Sequence, residues 1–169
     1  MDTGISIVGV IIMLIMFVLP FVIVRRNRNN REKKFTQALN ALAAKRGCNI
    51  SENESWNDRC TIGIDKVVHV LFFIRKNEND NVEYIINLPE TQACRIINTS
   101  RTIRDGKESY SVIEKLELCF EFFDKTRPQT LLVFYNAKHE SLTLAGELQI
   151  AERWVQIINA DIALRQIKK

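Results

Sequence analysis

Twenty residues without a charge, Ile5 to Val24, lie near the start of this chain and end abruptly in Arg25, Arg26, Arg28, Arg31, Lys33 and Lys34. An α-helix rises about 1.5 Å per residue, so this length spans roughly 30 Å, the thickness of a bilayer's hydrocarbon core. Within lipid a lone segment satisfies its backbone polar groups only as a helix. The pattern therefore predicts one transmembrane helix over residues 5–24. Only Asp2 is charged ahead of it, and six cations follow closely. Because Lys and Arg are retained on the cytoplasmic side, residues 1–4 are expected outside and the chain from residue 25 onward in the cytoplasm. A cleaved signal peptide would carry its cations before a shorter apolar run and end it in small residues. Here the charge order is reversed, and Leu19-Pro20-Phe21-Val22-Ile23-Val24 offers no such site.

The remainder, from about residue 35, is long enough for one domain with its own core. Of the chain's 24 Lys and Arg, six fall in residues 25–34; of its 20 Asp and Glu, Asp2 and Glu32 precede residue 35. Eighteen of each sign remain, so the domain is formally neutral and the net charge of +4 belongs to the arm. A neutral domain is a poor electrostatic match for nucleic acid, whose affinity comes from many phosphate contacts, and no nucleic-acid partner is expected. The arm has two readings. It is a topology signal, or it is a lipid contact in which each cation adds about 1 kcal/mol of attraction to an anionic leaflet.

Cys48, Cys60, Cys94 and Cys119 show no C-x-x-C pair and no neighbouring histidine pair, which is not the spacing of a zinc site. In the reducing compartment that the topology implies, they read as small buried hydrophobes. Asn49, Asn53 and Asn98 match the glycosylation acceptor pattern, which the same topology renders meaningless.

Residues 31–46 predict a helix, with Phe35, Leu39 and Leu42 at helical spacing among alanines and Gly47 as the stop. Residues 49–58 are polar and irregular, with Trp56 as an anchor to the core. The period then changes from helical to two. Strands are predicted near 60–64, 67–75, 82–88, 91–98, 112–123, 129–136 and 141–144, with Asp105-Gly106 as a tight turn. The clearest alternation sets Leu116, Leu118, Phe120 and Phe122 inward and Glu117, Cys119 and Glu121 outward. From Glu147 to about Gln166 one amphipathic helix carries Leu148, Ala151, Val155, Ile158 and Ile162 as its main stripe, widened by Trp154 and Ile157.

This order, seven strands grouped four and three and closed by one helix, resembles the pleckstrin-homology-like superfold over about residues 60–166. Trp154 carries most of the resemblance, because domains of this type bury a tryptophan of the terminal helix against the sheets. The expected architecture is α+β: an N-terminal transmembrane helix, a basic juxtamembrane arm and linker helix (25–58), and a PH-like domain (59–169) built as a seven-stranded antiparallel partly open barrel capped by the C-terminal helix.

Chemistry is sparse. His69 and His139 are far apart in the pattern, no nucleophile, zincin or phosphate-loop motif is present, and no cofactor or metal is expected. Pairs such as Glu114/Glu117 and Glu117/Glu121 read as the solvated face of a strand. The lipid-binding members that the chain resembles cluster cations around the first strand loop, where this sequence has only Asp65-Lys66. Arg101, Arg104 and Lys107 form a further basic cluster, mixed with Asp105 and Glu108. The resulting expectation is a non-enzymatic, membrane-anchored protein-interaction or scaffold module. The alternative is a sensor of anionic lipid headgroups that uses the basic arm and the 101–107 hairpin.

Overall fold

The computed structural model describes Met13 and residues 16–19, 32–77, 81–106, 108–140 and 143–166. Helix α1 covers residues 32–44. It stops where Gly47 takes a left-handed φ of 67° and the Cys48 N–H reaches back to the Ala43 carbonyl at 3.0 Å, closing the last turn. Four strands follow: β1 (Glu52–Trp56), β2 (Cys60–Asp65), β3 (Val70–Lys76) and β4 (Asn81–Asn87). They form an antiparallel sheet in chain order, sheet A. A short 3-10 turn, Leu88–Glu90, leads to β5 (Thr91–Asp105), β6 (Glu108–Phe122) and β7 (Thr130–Asn136), the antiparallel sheet B. Helix α2 (Glu147–Gln166) closes the chain. The molecule is thus a small α+β domain whose sheets are antiparallel throughout.

The inner faces of both sheets and α2 share the main core. Ile62, Ile64, Leu71 and Phe73 meet Leu116, Leu118, Phe120 and Phe134, and Ala151, Trp154, Ile158 and Ile162 cover them from α2. Spacings of three, four and four place those helix residues on one stripe. A second, smaller core lies on the far face of sheet A. There Leu39, Leu42 and Ala43 of α1 pack on Phe72 and Ile74. Gly63 makes this docking possible: a Cβ at that position would stand 2.6 Å from Leu39 Cδ2. The centre of sheet A, β2 and β3, is therefore buried on both faces, which is why β2 is apolar or small at almost every position.

Three expectations are corrected. The transmembrane helix expected over residues 5–24 is not supported: among the described residues no helix is long and apolar enough to cross a membrane. Of that segment only Met13 and Met16–Leu19 are described, as exposed helical positions. The rest of it lies outside the described residues. The single-pass anchor, the outside N-terminus, the cytoplasmic placement of the domain and the bilayer as an integral partner therefore drop out of the account.

The partly open barrel is replaced by two separate sheets, since no ladder joins β4 to β5 or β7 to β1. The strand set also shifts by one. β1 occupies the segment read as irregular, while Thr143 and Leu144 belong to no strand and residues 141 and 142 lie outside the described residues. Within β3 the expected start at Val67 moves to Val70. The Asp65 carboxylate accepts the backbone N–H of Val67 (2.8 Å) and of Val68 (3.2 Å), and His69 takes φ 58°, so Val67 to His69 form a turn.

Candidate functional site

The free strand edges decide what the domain can hold, because an unpaired edge presents a row of unused N–H and C=O groups. Two edges are capped in part by the protein's own side chains, β5 at Cys94 and β7 at Val133 and Phe134. On β5, the Asn159 amide of α2 donates to the Cys94 carbonyl (2.8 Å) and accepts from the Cys94 N–H (3.0 Å), taking the place of a neighbouring strand at that residue. On β7, Arg75 Nη1 donates to the Val133 carbonyl (2.7 Å) and Trp56 Nε1 to the Phe134 carbonyl (3.1 Å). These bonds from sheet A lock the two sheets together at one corner. The rings of Trp56 and Phe134 lie 4.5 Å apart beneath them.

The opposite edge of sheet A is different. β4 pairs only with β3, and among the described residues no other strand or side chain bonds the outward backbone groups from Asn81 to Ile86. β1 is also unpaired on its outer side, but it has only five residues, and Glu54 is drawn to Arg153 and to Trp154 Nε1 (2.9 Å) of α2. Where sheet B diverges from β4 a cleft of about 550 Å³ opens. Phe73, Val82, Tyr84 and Val133 give it apolar walls. Arg59, Arg75, Lys115 and His139, with Asn77 and Asn136, give it a polar rim.

The rim residues come from distant elements. Asn57 and Asp58 turn the chain between β1 and β2 with φ of 53° and 50°, a left-handed pair that Asn and Asp tolerate, and this sets Arg59 at the end of the turn, just ahead of β2. Arg75 is almost fully buried and its second nitrogen holds Glu140 at 2.8 Å, so its charge is already matched. Lys115 Nζ lies 2.7 Å from Glu117. Arg59 makes no ion pair with any described residue.

The residues singled out from the sequence fall elsewhere. Arg25, Arg26, Arg28, Arg31 and Lys107 lie outside the described residues. Lys33 and Lys34 are exposed on the first turns of α1. Arg101 pairs with Glu114 at 3.1 Å on the two-stranded ribbon of β5 and β6, and Arg104 is exposed further along it, so these two share a hairpin but no pocket. Trp154 is 1 % exposed at the centre of the core. Arg59, Lys115 and His139 were not singled out together, and nothing in their spacing could have joined them. One signal was available for β1: Asn57-Asp58 is turn chemistry between Trp56 and Cys60.

The two histidines are not brought together. His139 is at the cleft, whereas His69 Nδ1 lies 2.8 Å from Asp161 Oδ1, with Arg165 3.3 Å from the other carboxylate oxygen. That cluster ties the β2–β3 turn to α2, and among the described residues no hydroxyl or thiol bonds the ring. Burial pushes the Cys60 thiol up to about 12 and raises Cys94 and Cys119 as well, so none of these three is a thiolate at neutral pH. Among the described residues no group of three His, Cys, Asp or Glu side chains is placed to hold a metal ion.

No protein-family model matches the chain, and neither the characterised proteins nor the solved structures contain a match to it.

Proposed function

We propose that this chain is a non-catalytic protein-interaction module of PH-like architecture that takes an extended segment of a partner as an added strand along β4. The succession of four strands, three strands and a closing helix with a buried tryptophan supports the PH-like reading. One observation carries the functional one: the unpaired edge of β4 opens directly on a cleft, while Asn159 caps β5 at Cys94 and Arg75 and Trp56 cap β7 at Val133 and Phe134. Strand addition draws affinity from main-chain hydrogen bonds and specificity from pockets that receive alternate side chains. β4 offers both, since Val82 and Tyr84 alternate toward the cleft while Glu83 and Ile85 face away from it.

The test is selection of a random decapeptide display library on the full chain, followed by hydrogen exchange with and without a selected peptide. Slower exchange confined to Asn81–Asn87 and the cleft rim is the expected result. Protection at β5 or on the β5–β6 ribbon instead, or no enriched peptide at all, would remove strand addition at β4. Binding to phosphatidylserine vesicles that disappears in the Arg101→Ala, Arg104→Ala double variant would transfer the activity to the ribbon.

A further inference from the structure

We infer that the segment received along β4 carries an acidic side chain, Asp or Glu, which enters the cleft and meets Arg59 and Lys115. The inference rests on the strand-addition reading and adds the chemistry of the partner. Among the described residues that line the cleft there is no carboxylate, while Arg59, Arg75 and Lys115 all contribute cationic groups. The neighbouring acids do not cancel them equally. Glu140 is spent on Arg75, held at 2.8 Å with both side chains nearly buried. Glu117 faces Lys115, whose side chain remains 38 % exposed and whose ammonium has three donors, so it can serve a second carboxylate. Arg59 makes no ion pair with a described residue, and its planar fork suits a carboxylate in two-point geometry.

The geometry of an added strand also fits. Alternate side chains of a strand point to the same face, so a residue paired beside β4 directs every second side chain toward the cleft that Val82 and Tyr84 line. Such a side chain would pass between the apolar walls of Phe73, Tyr84 and Val133 before its carboxylate reached the rim. A longer acidic residue is therefore favoured over a shorter one, and the flanking positions of the same face are expected to be apolar.

The full chain and the decapeptide library again supply the test. Selected peptides are expected to be enriched in Glu at one position of an alternating pattern. Replacing that Glu by Gln should weaken binding roughly tenfold or more, the size of a lost charge-assisted hydrogen bond. The same loss is expected in Arg59→Ala with the Glu peptide, partial recovery in Arg59→Lys, and weaker binding as salt rises. Selected peptides that protect β4 but show no acidic excess, or that bind equally well as Gln versions, would overturn the inference and leave strand addition standing. Peptides that protect no β4 amide would overturn both. Circular dichroism and hydrogen exchange of the unliganded Arg59 variants separate loss of binding from loss of fold, since Arg59 lies at the rim and not in the core.

Discussion

The central strands of sheet A, β2 and β3, are buried on both faces, whereas the outer face of sheet B carries charged pairs. On the outer side of sheet A, Phe72 and Ile74 lie under α1 with Leu39 set against Gly63. On the outer side of sheet B the neighbours are charged. Arg95 pairs with Glu121 at 2.9 Å and Arg101 with Glu114 at 3.1 Å, and Leu131 remains 38 % exposed near them. The difference is written in the strands themselves. β2 and β3 are near-continuous runs of small and apolar residues, because a helix waits on the second face. β6 alternates in residue type from Leu116 to Phe122, although its outward Glu117 and Cys119 are themselves buried. Interaction energy should follow the same division, large beneath α1 and small across the outer face of sheet B.

The most direct way to break this comparison is a matched pair of truncations. Leu39→Ala removes a fully buried side chain and should cost about 2–5 kcal/mol, whereas Leu131→Ala on the outer face of sheet B should fall within about 0.5 kcal/mol of wild type. Urea unfolding of the full chain reads both. Equal costs would mean that α1 is not the cover that sheet A requires. A sharper version uses Gly63→Ala. Its added methyl meets Leu39 Cδ2 at 2.6 Å and Ile50 Cγ2 at 3.0 Å, so overpacking should cost about 1–3 kcal/mol. In the Leu39→Ala background most of that cost should vanish, because the clashing atom is gone. Strict additivity in this cycle would place α1 elsewhere than on Gly63.

Acid should loosen the same side of the molecule. Asp65 sits at the end of β2 and accepts the backbone N–H groups of Asn49 (2.6 Å), Val67 and Val68, latching the segment after α1 onto sheet A. Burial pushes its carboxyl up, but those three donors and the nearby His69 outweigh it and leave the group below its ordinary value of 3.8. A carboxyl depressed in the folded state contributes stability that is complete above the unfolded value and is lost as pH falls through the folded one. Unfolding measured from about pH 6 to pH 2 should therefore show wild type losing stability at the acid end. Asp65→Asn should start lower and lose less, so that the two curves converge. Parallel curves would mean that the carboxylate does not hold the latch.

How far the sequence announced this molecule depends on which residues face the core. α2, β7 and the core-packed parts of β5 and β6 were legible because Leu116, Leu118, Phe120 and Ala151, Trp154, Ile158 keep strict periods. The ribbon that carries β5 from residue 99 to Asp105 and starts β6 at Glu108 was not expected as strand. β1 was not legible, because its inward Glu54 is a carboxylate satisfied by Trp154 and Arg153, residues a hundred positions away whose approach no local pattern reveals. The seventh strand was consequently sought at 141–144, where Leu142 and Leu144 alternate. The turn at Val67–His69 hid for a related reason: β-branched residues favour strands, and only the Asp65 side chain overrides them. The cleft was the least legible feature. Arg59, Lys115 and His139 belong to a hairpin turn, a strand of the other sheet and a loop, and only the divergence of the two sheets makes them neighbours.

The smallest expected effect lies on the exposed ribbon. Arg101 and Glu114 have side chains 61 % and 42 % exposed, so their ion pair is screened by water and salt. Arg101→Ala should shift stability by about 0.5 kcal/mol or less. A double-mutant cycle with Glu114→Ala should return a coupling of only a few tenths of a kcal/mol, fading further at high salt. This small number is informative because β5 and β6 carry the ribbon beyond the last β7 pairing at Lys115, where no third strand among the described residues supports it. A coupling above about 1 kcal/mol would require the pair to be held and partly dehydrated. The outer face of sheet B would then be organised like that of sheet A, and the ribbon, rather than the edge of β4, would become the better candidate for a preformed binding surface.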